Sequence, residues 1–311
     1  MKRPDFASRV YPPFTLQLPE RQTLPVVVVS AHSGDRYPAS FLAAAAIDRD
    51  GLRRSEDWAV DRLAETAPAF GAPLLAANFP RVFLDANRAP FELDPAMFAS
   101  EPPDYVDRRS PWARSGHGTL HRYAADGSDI YRESLDFAEA LRRIDRFYLP
   151  FHLQLGRLIQ GTMRRFGICI LLDCHSMPSA TEAERGCPPG SLGFVLGTAN
   201  GASCADSVAA RAESVLARRA WQGRRNDPYA GAFITRHYGR PDKGVHALQL
   251  EINRALYMDE TRLKANAGFA AAASTVGELV AGIGAQGLAI APRSPRARRR
   301  PISLDGARPS G

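Results

Sequence analysis

Lysine is almost missing from this chain of 311 residues: Lys2, Lys243 and Lys264 are the only three among 40 basic residues. The basic charge is therefore carried by arginine, and beside so many alanines it reflects codon bias more than a surface built for phosphate. Cysteine is also scarce. Cys169, Cys174, Cys187 and Cys204 stand at irregular spacing, which gives no disulfide framework and no CxxC metal knuckle; free buried thiols in a reducing compartment are expected. Long apolar runs are missing too. The opening MKRPDFASRVYPPF is basic at its start with no apolar stretch behind it, so no secretory signal is expected. Residues 265–291 are rich in Ala and Gly with Glu278 among them, and they read as a packed amphipathic helix, not a membrane span. The expectation is a cytoplasmic protein with no membrane partner.

A net charge of +7 would point to an acidic macromolecular partner if it were evenly spread. It is not. Residues 292–311 hold Arg293, Arg296, Arg298, Arg299, Arg300 and Arg308 against Asp305, so five of the seven net charges sit in this tail and the body carries only +2. The alternating Pro, Arg and Ser of the tail predict a disordered extension, and a nucleic-acid partner is not expected. With 45% hydrophobic and 23% charged residues, residues 1–291 have ample apolar material for one large domain, and disorder of the whole chain is excluded.

Short β-branched runs alternate with longer helical patterns, the signature of an α/β domain. The predicted strands are residues 25–30 (PVVVVS), 81–84 (RVFL), 168–173 (ICILLD), 193–196 (GFVL) and 246–252 (HALQLEI). The first and third are almost wholly apolar, as central strands covered on both faces should be. Helices are predicted over residues 55–65, 134–166, 202–221 and 261–282. Residues 89–129 lack a sustained period and read as a long functional loop, and residues 182–191 (EAERGCPPGS) as a second loop after a strand end.

In an open α/β sheet the ligand site lies beyond the carboxyl ends of the strands, so the polar residues that stop each apolar run are the candidates. Those stops are His32-Ser33-Gly34-Asp35, Asp85-Ala86-Asn87-Arg88, Asp173-Cys174-His175-Ser176 and Glu251-Ile252-Asn253-Arg254. Two histidines from different strand ends with one carboxylate form a common first shell for catalytic zinc, which singles out His32 and His175. The acidic ligand is Asp57 or Asp35, with Asp57 favoured. Strand alternation places Asp173 beside His175 and sends Cys174 to the other face, so Asp173 is expected to orient the ring and a Cys174 nucleophile is not. Glu251 fits a general base near an activated water, its other reading being a salt bridge to Arg254 or Arg88. Arg81, Arg88 and Arg254 are candidates for an anionic substrate group or an oxyanion, and His237 for the pocket wall. His117 and His121 are not expected to bind metal.

Taken together, His32-Ser33-Gly34 with Tyr37-Pro38, Asp85-x-Asn87-Arg88, Asp173-Cys174-His175-Ser176 and Gln249-x-Glu251-Ile252-Asn253-Arg254-x-Leu256-Tyr257-Met258 resemble the N-formylglutamate amidohydrolase family, over roughly residues 25–260. The resemblance implies a zinc-carboxypeptidase-like (phosphorylase/hydrolase-like) fold: a single α/β domain with a mixed, mostly parallel central sheet flanked by helices. It implies metal-dependent cleavage of an N-acyl amide, typically N-formyl-L-glutamate to glutamate and formate at the end of histidine degradation. It also implies one zinc ion per chain on His32, Asp57 and His175, with Glu251 as general base, Asn87-Arg88 on the substrate's α-carboxylate and Arg81 at the oxyanion. The partner expected is thus a small anionic N-acyl amino acid, its side-chain pocket formed by the loops at 89–129 and 182–191. Two other readings are a zinc exopeptidase or amidase acting on a larger peptide-like substrate, and a nucleic-acid binder working through the tail.

Overall fold

A computed structural model describes residues 11–188, 190–219 and 222–292; residues 293–311 of the expected tail lie outside the described residues. Its strands are β1 Phe14–Gln17, β2 Val26–Ser30, β3 Leu74–Ala77, β4 Cys169–Met177, β5 Phe194–Gly197, β6 Gly223–Arg225, β7 Val245–Asn253, β8 Met258–Asp259 and β9 Lys264–Ala265. The first seven form one sheet in the order β1-β3-β2-β4-β7-β5-β6. At its centre β3, β2, β4 and β7 are parallel, while β1 and β5 join antiparallel on either side and β6 runs parallel to β5. The result is a mixed, mostly parallel sheet flanked by helices, as the family resemblance implies.

Strand alternation divides the core into two layers. Val27, Val29, Leu171 and Ala247 face one layer, closed by Phe151, Leu155 and Ile159 of the helix Leu149–Phe166. Val26, Val28, Ile170, Leu172, Leu248 and Leu250 face the other, under the helices Asp206–Ala217 and Phe269–Ile290. The latter helix has the length and composition of a membrane span, with half of its apolar window buried inside the fold. Its small residues explain the close packing. A Cβ on Gly282 would stand 2.5 Å from Val215, and one on Gly287 would stand 2.7 Å from Pro25.

The predicted helix at 134–166 runs as Phe137–Arg143, a wide π turn Ile144–Tyr148, and Leu149–Phe166; the wide turn accommodates Pro150, which lacks the N–H a regular helix would use there. Four expectations differ from the structure. Residues 81–84 are not a strand: Phe83 and Leu84 both donate to the Pro80 carbonyl (3.0 and 3.2 Å) in a turn, and the strand of this region is β3, just upstream. Residues 55–65 are not one helix, because the Asp57 amide is tied to the His32 carbonyl (3.1 Å) and Ala59 has a left-handed φ of 56°; short helices Arg49–Arg53 and Val60–Leu63 flank the interruption. The last helix starts at Phe269, not 261, because Lys264–Ala265 pairs with Met258–Asp259. The first residues of the expected loop at 182–191 belong instead to the helix Ala180–Glu184, and the Glu182 carboxylate accepts from the Gly190 and Leu192 amides.

Candidate metal centre and active site

The carboxyl ends of β2, β4 and β7 bring the singled-out residues together. Parallel register sets His175 opposite Glu251 and Asp173 opposite Gln249, so alternation points all four to one face. His32 follows β2, and the backbone bond from Asp57 to the His32 carbonyl carries that carboxylate to the same place. The rings of His32 and His175 lie 4.7 Å apart, and ligand atoms of His32, Asp57 and His175 all fall within 4.8 Å of one another, each residue buried. Asp35, the alternative acid, is exposed and lies outside this cluster.

Each histidine is held from behind. His32 Nε2 is 2.7 Å from Asp85 Oδ1, and His175 Nε2 is 2.9 Å from Asp173 Oδ1. The Asp85 carboxylate hydrogen-bonded at His32 Nε2 keeps the proton there and turns the His32 Nδ1 lone pair inward, the usual second layer behind a metal-binding histidine. Both Nδ1 atoms face Asp57 Oδ2, at 3.4 Å from His32 and 2.8 Å from His175. The decisive atom is His32 Nδ1, which is buried and has no hydrogen-bond partner among the described residues. A buried nitrogen left unpaired is costly, and a cation between the two rings and the carboxylate would satisfy it. Two imidazole nitrogens and one carboxylate oxygen fit zinc, with an open position for substrate or water.

Electrostatics agree with a cation at this point. Burial opposes the His175 imidazolium, but Asp173 and Asp57 outweigh it and hold the ring's pKa well above the ordinary value. Burial would also raise the carboxyls of Asp57 and Asp85, yet the hydrogen bond from His175 and the close His32 ring at the first, and His32, Arg88 and Arg81 around the second, hold both well below the usual range. Without a metal, His175 carries the positive charge that this ring of carboxylates selects. Glu251, 8% exposed, accepts from Gln249 Nε2 at 2.8 Å, and burial pushes its carboxyl up to about 7.

These groups line a cavity of about 580 Å³, whose wall holds five arginines (Arg54, Arg81, Arg88, Arg236 and Arg254) against two acids, Asp57 and Glu251. Arg81 pairs with Asp85 (3.2 Å) and Asp57 (3.7 Å), and its buried Nε lacks a partner. Arg88 donates to the His117 and Asn87 carbonyls and stacks 4.0 Å above the Trp112 ring. Arg254 is a brace: it donates to Ser176 Oγ (3.2 Å) and the Glu56 carbonyl (2.6 Å) and stands 3.5 Å from Asp57. Asn87 is a strut. Its amide donates to Asp173 Oδ2 (3.2 Å) and lies 3.0 Å from His175 Nε2, while its oxygen accepts from the Ile234 amide (2.7 Å).

His237 does not line this cavity; it is exposed and stacks on Phe233 at 4.7 Å, and its neighbour Arg236 takes the place on the wall. The loop at 89–129 supplies Trp112, His117 and His121, but the described residues of 182–191 supply nothing to the wall, which is completed instead by residues 228–232. Sequence reasoning missed His121, whose Nε2 lies 3.1 Å from Asp85 Oδ2; only the shared carboxylate, far away in the chain, reveals its place. Burial, partly offset by Asp85, lowers its pKa to about 4. Cys174 is fully buried in the opposite layer, away from the site.

Fold and site define an α/β domain whose polar centre, a His-Asp-His cluster beside a buried glutamate, sits at the carboxyl ends of parallel strands. Comparison with known proteins makes this specific. The chain belongs to the N-formylglutamate amidohydrolase family, whose model matches residues 24–258. It is 31% identical over 245 residues to an N-formylglutamate deformylase of Pseudomonas aeruginosa, covering 78% of this chain and 85% of that protein. A Pseudomonas putida N-formylglutamate deformylase is 32% identical over 248 residues, 76% and 83% of the two chains. The crystal structure of N-formylglutamate amidohydrolase from Ralstonia eutropha JMP134 superposes with a TM-score of 0.83 at 37% identity, covering 89% of this chain and 98% of that one.

Proposed function

We propose that this protein hydrolyses N-formyl-L-glutamate to L-glutamate and formate, with zinc held by His32, Asp57 and His175. The observation that carries the reading is the unpaired Nδ1 of His32, facing Asp57 beside the Nδ1 of His175; the names of the two deformylase relatives support the substrate. A bound zinc ion supplies a Lewis acid for the formyl carbonyl and lowers the pKa of the attacking water. Asp85 and Asp173 keep both rings oriented, and Arg254 keeps Asp57 in place. Glu251 takes the proton from the water and delivers it to the leaving nitrogen, a task suited to a carboxyl whose pKa burial has raised. Arg81, with its unpaired Nε, stabilises the oxyanion of the tetrahedral intermediate. Arg88 receives the α-carboxylate, pre-set by Trp112 and two carbonyls; Asn87 acts by holding Asp173 and the helix Phe233–Tyr238 in register.

The test is formate release from N-formyl-L-glutamate with metal analysis of the same sample. Zinc near one per chain, loss of activity on chelation and recovery on zinc addition are expected. Full activity in chelator, or cleavage of C-terminal peptides with no deformylation of any N-formyl amino acid, overturns the proposal.

A further inference from the structure

Of the five arginines on the cavity wall, two have their charge answered at close range, Arg81 by Asp85 and Arg254 by Asp57. Arg54 is exposed at the end of the helix Arg49–Arg53 and acts electrostatically on Asp126. Arg88 and Arg236 remain. Among the described residues neither makes an ion pair within 4.0 Å; burial lowers the pKa of Arg88, Asp85 and Glu92 act on it only from beyond ion-pair distance, and Arg81 and Arg236 add like charge. Two like charges facing one cavity repel each other unless a ligand intervenes.

Arg236 is also rigidly placed. It sits in the last turn of the helix Phe233–Tyr238, whose start is pinned to β7 and to the Asn87 turn: the Ala232 amide donates to Gln249 Oε1 (2.9 Å) and the Ile234 amide to Asn87 Oδ1 (2.7 Å). Gln249 in turn holds Glu251. The approach to the helix needs Gly231, at φ 111°, where a Cβ would stand 2.8 Å from Thr235. This segment is built to bring one cation to the wall at a fixed distance from the reacting centre.

We infer that Arg236 is the specificity residue of the site, binding the side-chain carboxylate of a dicarboxylic N-acyl amino acid while Arg88 holds its α-carboxylate. The inference rests on the proposed deformylase reading and adds the acidic side chain to it: two arginines with no acid at ion-pair distance among the described residues match two carboxylates. The test compares N-formyl-L-glutamate with the isosteric N-formyl-L-glutamine, whose side chain is neutral, in the zinc-loaded full-length enzyme and its Arg236→Gln and Arg54→Gln variants. A lost charge-assisted hydrogen bond at an exposed arginine predicts a fall of about tenfold to thirtyfold in kcat/KM for N-formyl-L-glutamate with Arg236→Gln, mostly in KM. N-formyl-L-glutamine, which also reports a folded enzyme, should change by less than about threefold on the same basis, and Arg54→Gln should leave the ratio of the two substrates unaltered. Arg236→Glu should move the preference to N-formyl-L-lysine. An equal fall for both substrates, no fall at all, or a selective fall in Arg54→Gln instead overturns the role of Arg236. Absence of deformylation by the unaltered enzyme overturns the deformylase reading itself, and is distinguishable from each of these.

Discussion

Replacing Glu251 by Gln should separate chemistry from stability at this site. The carboxylate is 8% exposed and accepts one hydrogen bond, from Gln249 Nε2 at 2.8 Å. An amide oxygen accepts the same bond, so the geometry survives while the proton acceptor is lost. A positioned general base contributes about 10² to 10⁴-fold, and turnover should fall by that factor with zinc still bound. Stability of the metal-free protein moves the other way. Burial raises the carboxyl from 4.5 to about 7, so the folded state binds this proton more tightly than the unfolded chain, and stability is lost as pH rises through that window. Once fully ionised, the group costs about 3 kcal/mol, which a neutral amide avoids. For a domain of this size that corresponds to a melting point about 5 °C higher at pH 8, and the gain should vanish near pH 3.5, about one unit below the unfolded value, where the native side chain is protonated in both states. The assays are steady-state formate release and thermal unfolding in chelator at the two pH values. Turnover within tenfold of the native enzyme refutes the base assignment, and a lower melting point at pH 8 refutes the burial argument.

Asp85→Asn removes the carboxylate behind His32, which also contacts Arg81 and His121; zinc affinity should weaken about 10- to 100-fold in metal-competition titrations, and unchanged affinity would show that the Nε2 contact does not orient the ring. His121 is buried neutral with a pKa near 4, so the unfolded chain binds its proton first as pH falls below 6.5. Stability of the zinc-loaded protein should drop between pH 6.5 and 4, by up to about 3 kcal/mol from this residue; His121→Gln should flatten the curve, and an identical curve would exclude the residue as its source. The four cysteines are buried, and burial pushes the Cys169 and Cys204 thiols up to about 12. Alkylating reagents should therefore leave native activity intact at pH 7.5, and rapid stoichiometric inactivation would reopen a thiol mechanism.

What the sequence makes legible here follows from which forces are local. Strands β2, β4 and β7 show themselves because central strands must be apolar on both faces, and their polar terminators then mark His32, His175 and Glu251. RVFL misleads for the same reason that β2 does not. Val82 and Leu84 are wholly buried, so they are apolar, but the turn at Pro80 buries them without extending the chain. The true neighbour, LLAA of β3, carries no β-branched residue to announce it. Arg143 shows how such a turn is fixed from a distance: it is buried and donates to the Phe83 carbonyl (3.0 Å) and the Tyr131 hydroxyl (2.7 Å). The places of His121 and Arg236 depend on contacts with Asp85, Asn87 and Gln249 that no local pattern encodes. A window of sequence shows which residues want burial; it does not show which loops will meet.

The helix Phe269–Ile290, the last element among the described residues, covers strands formed much earlier in the chain. Val26, Val28, Ile170 and Leu172 share a layer with Val276, Leu279, Val280 and Ile283. At about 5–20 residues per second of synthesis, roughly 10 to 50 s separate the appearance of β2 from that of the helix that covers it. Throughout that interval the nascent sheet presents an apolar face to its surroundings. The domain cannot complete its folding until this helix has emerged, and a chain interrupted before residue 269 leaves the ribosome as a client for chaperones.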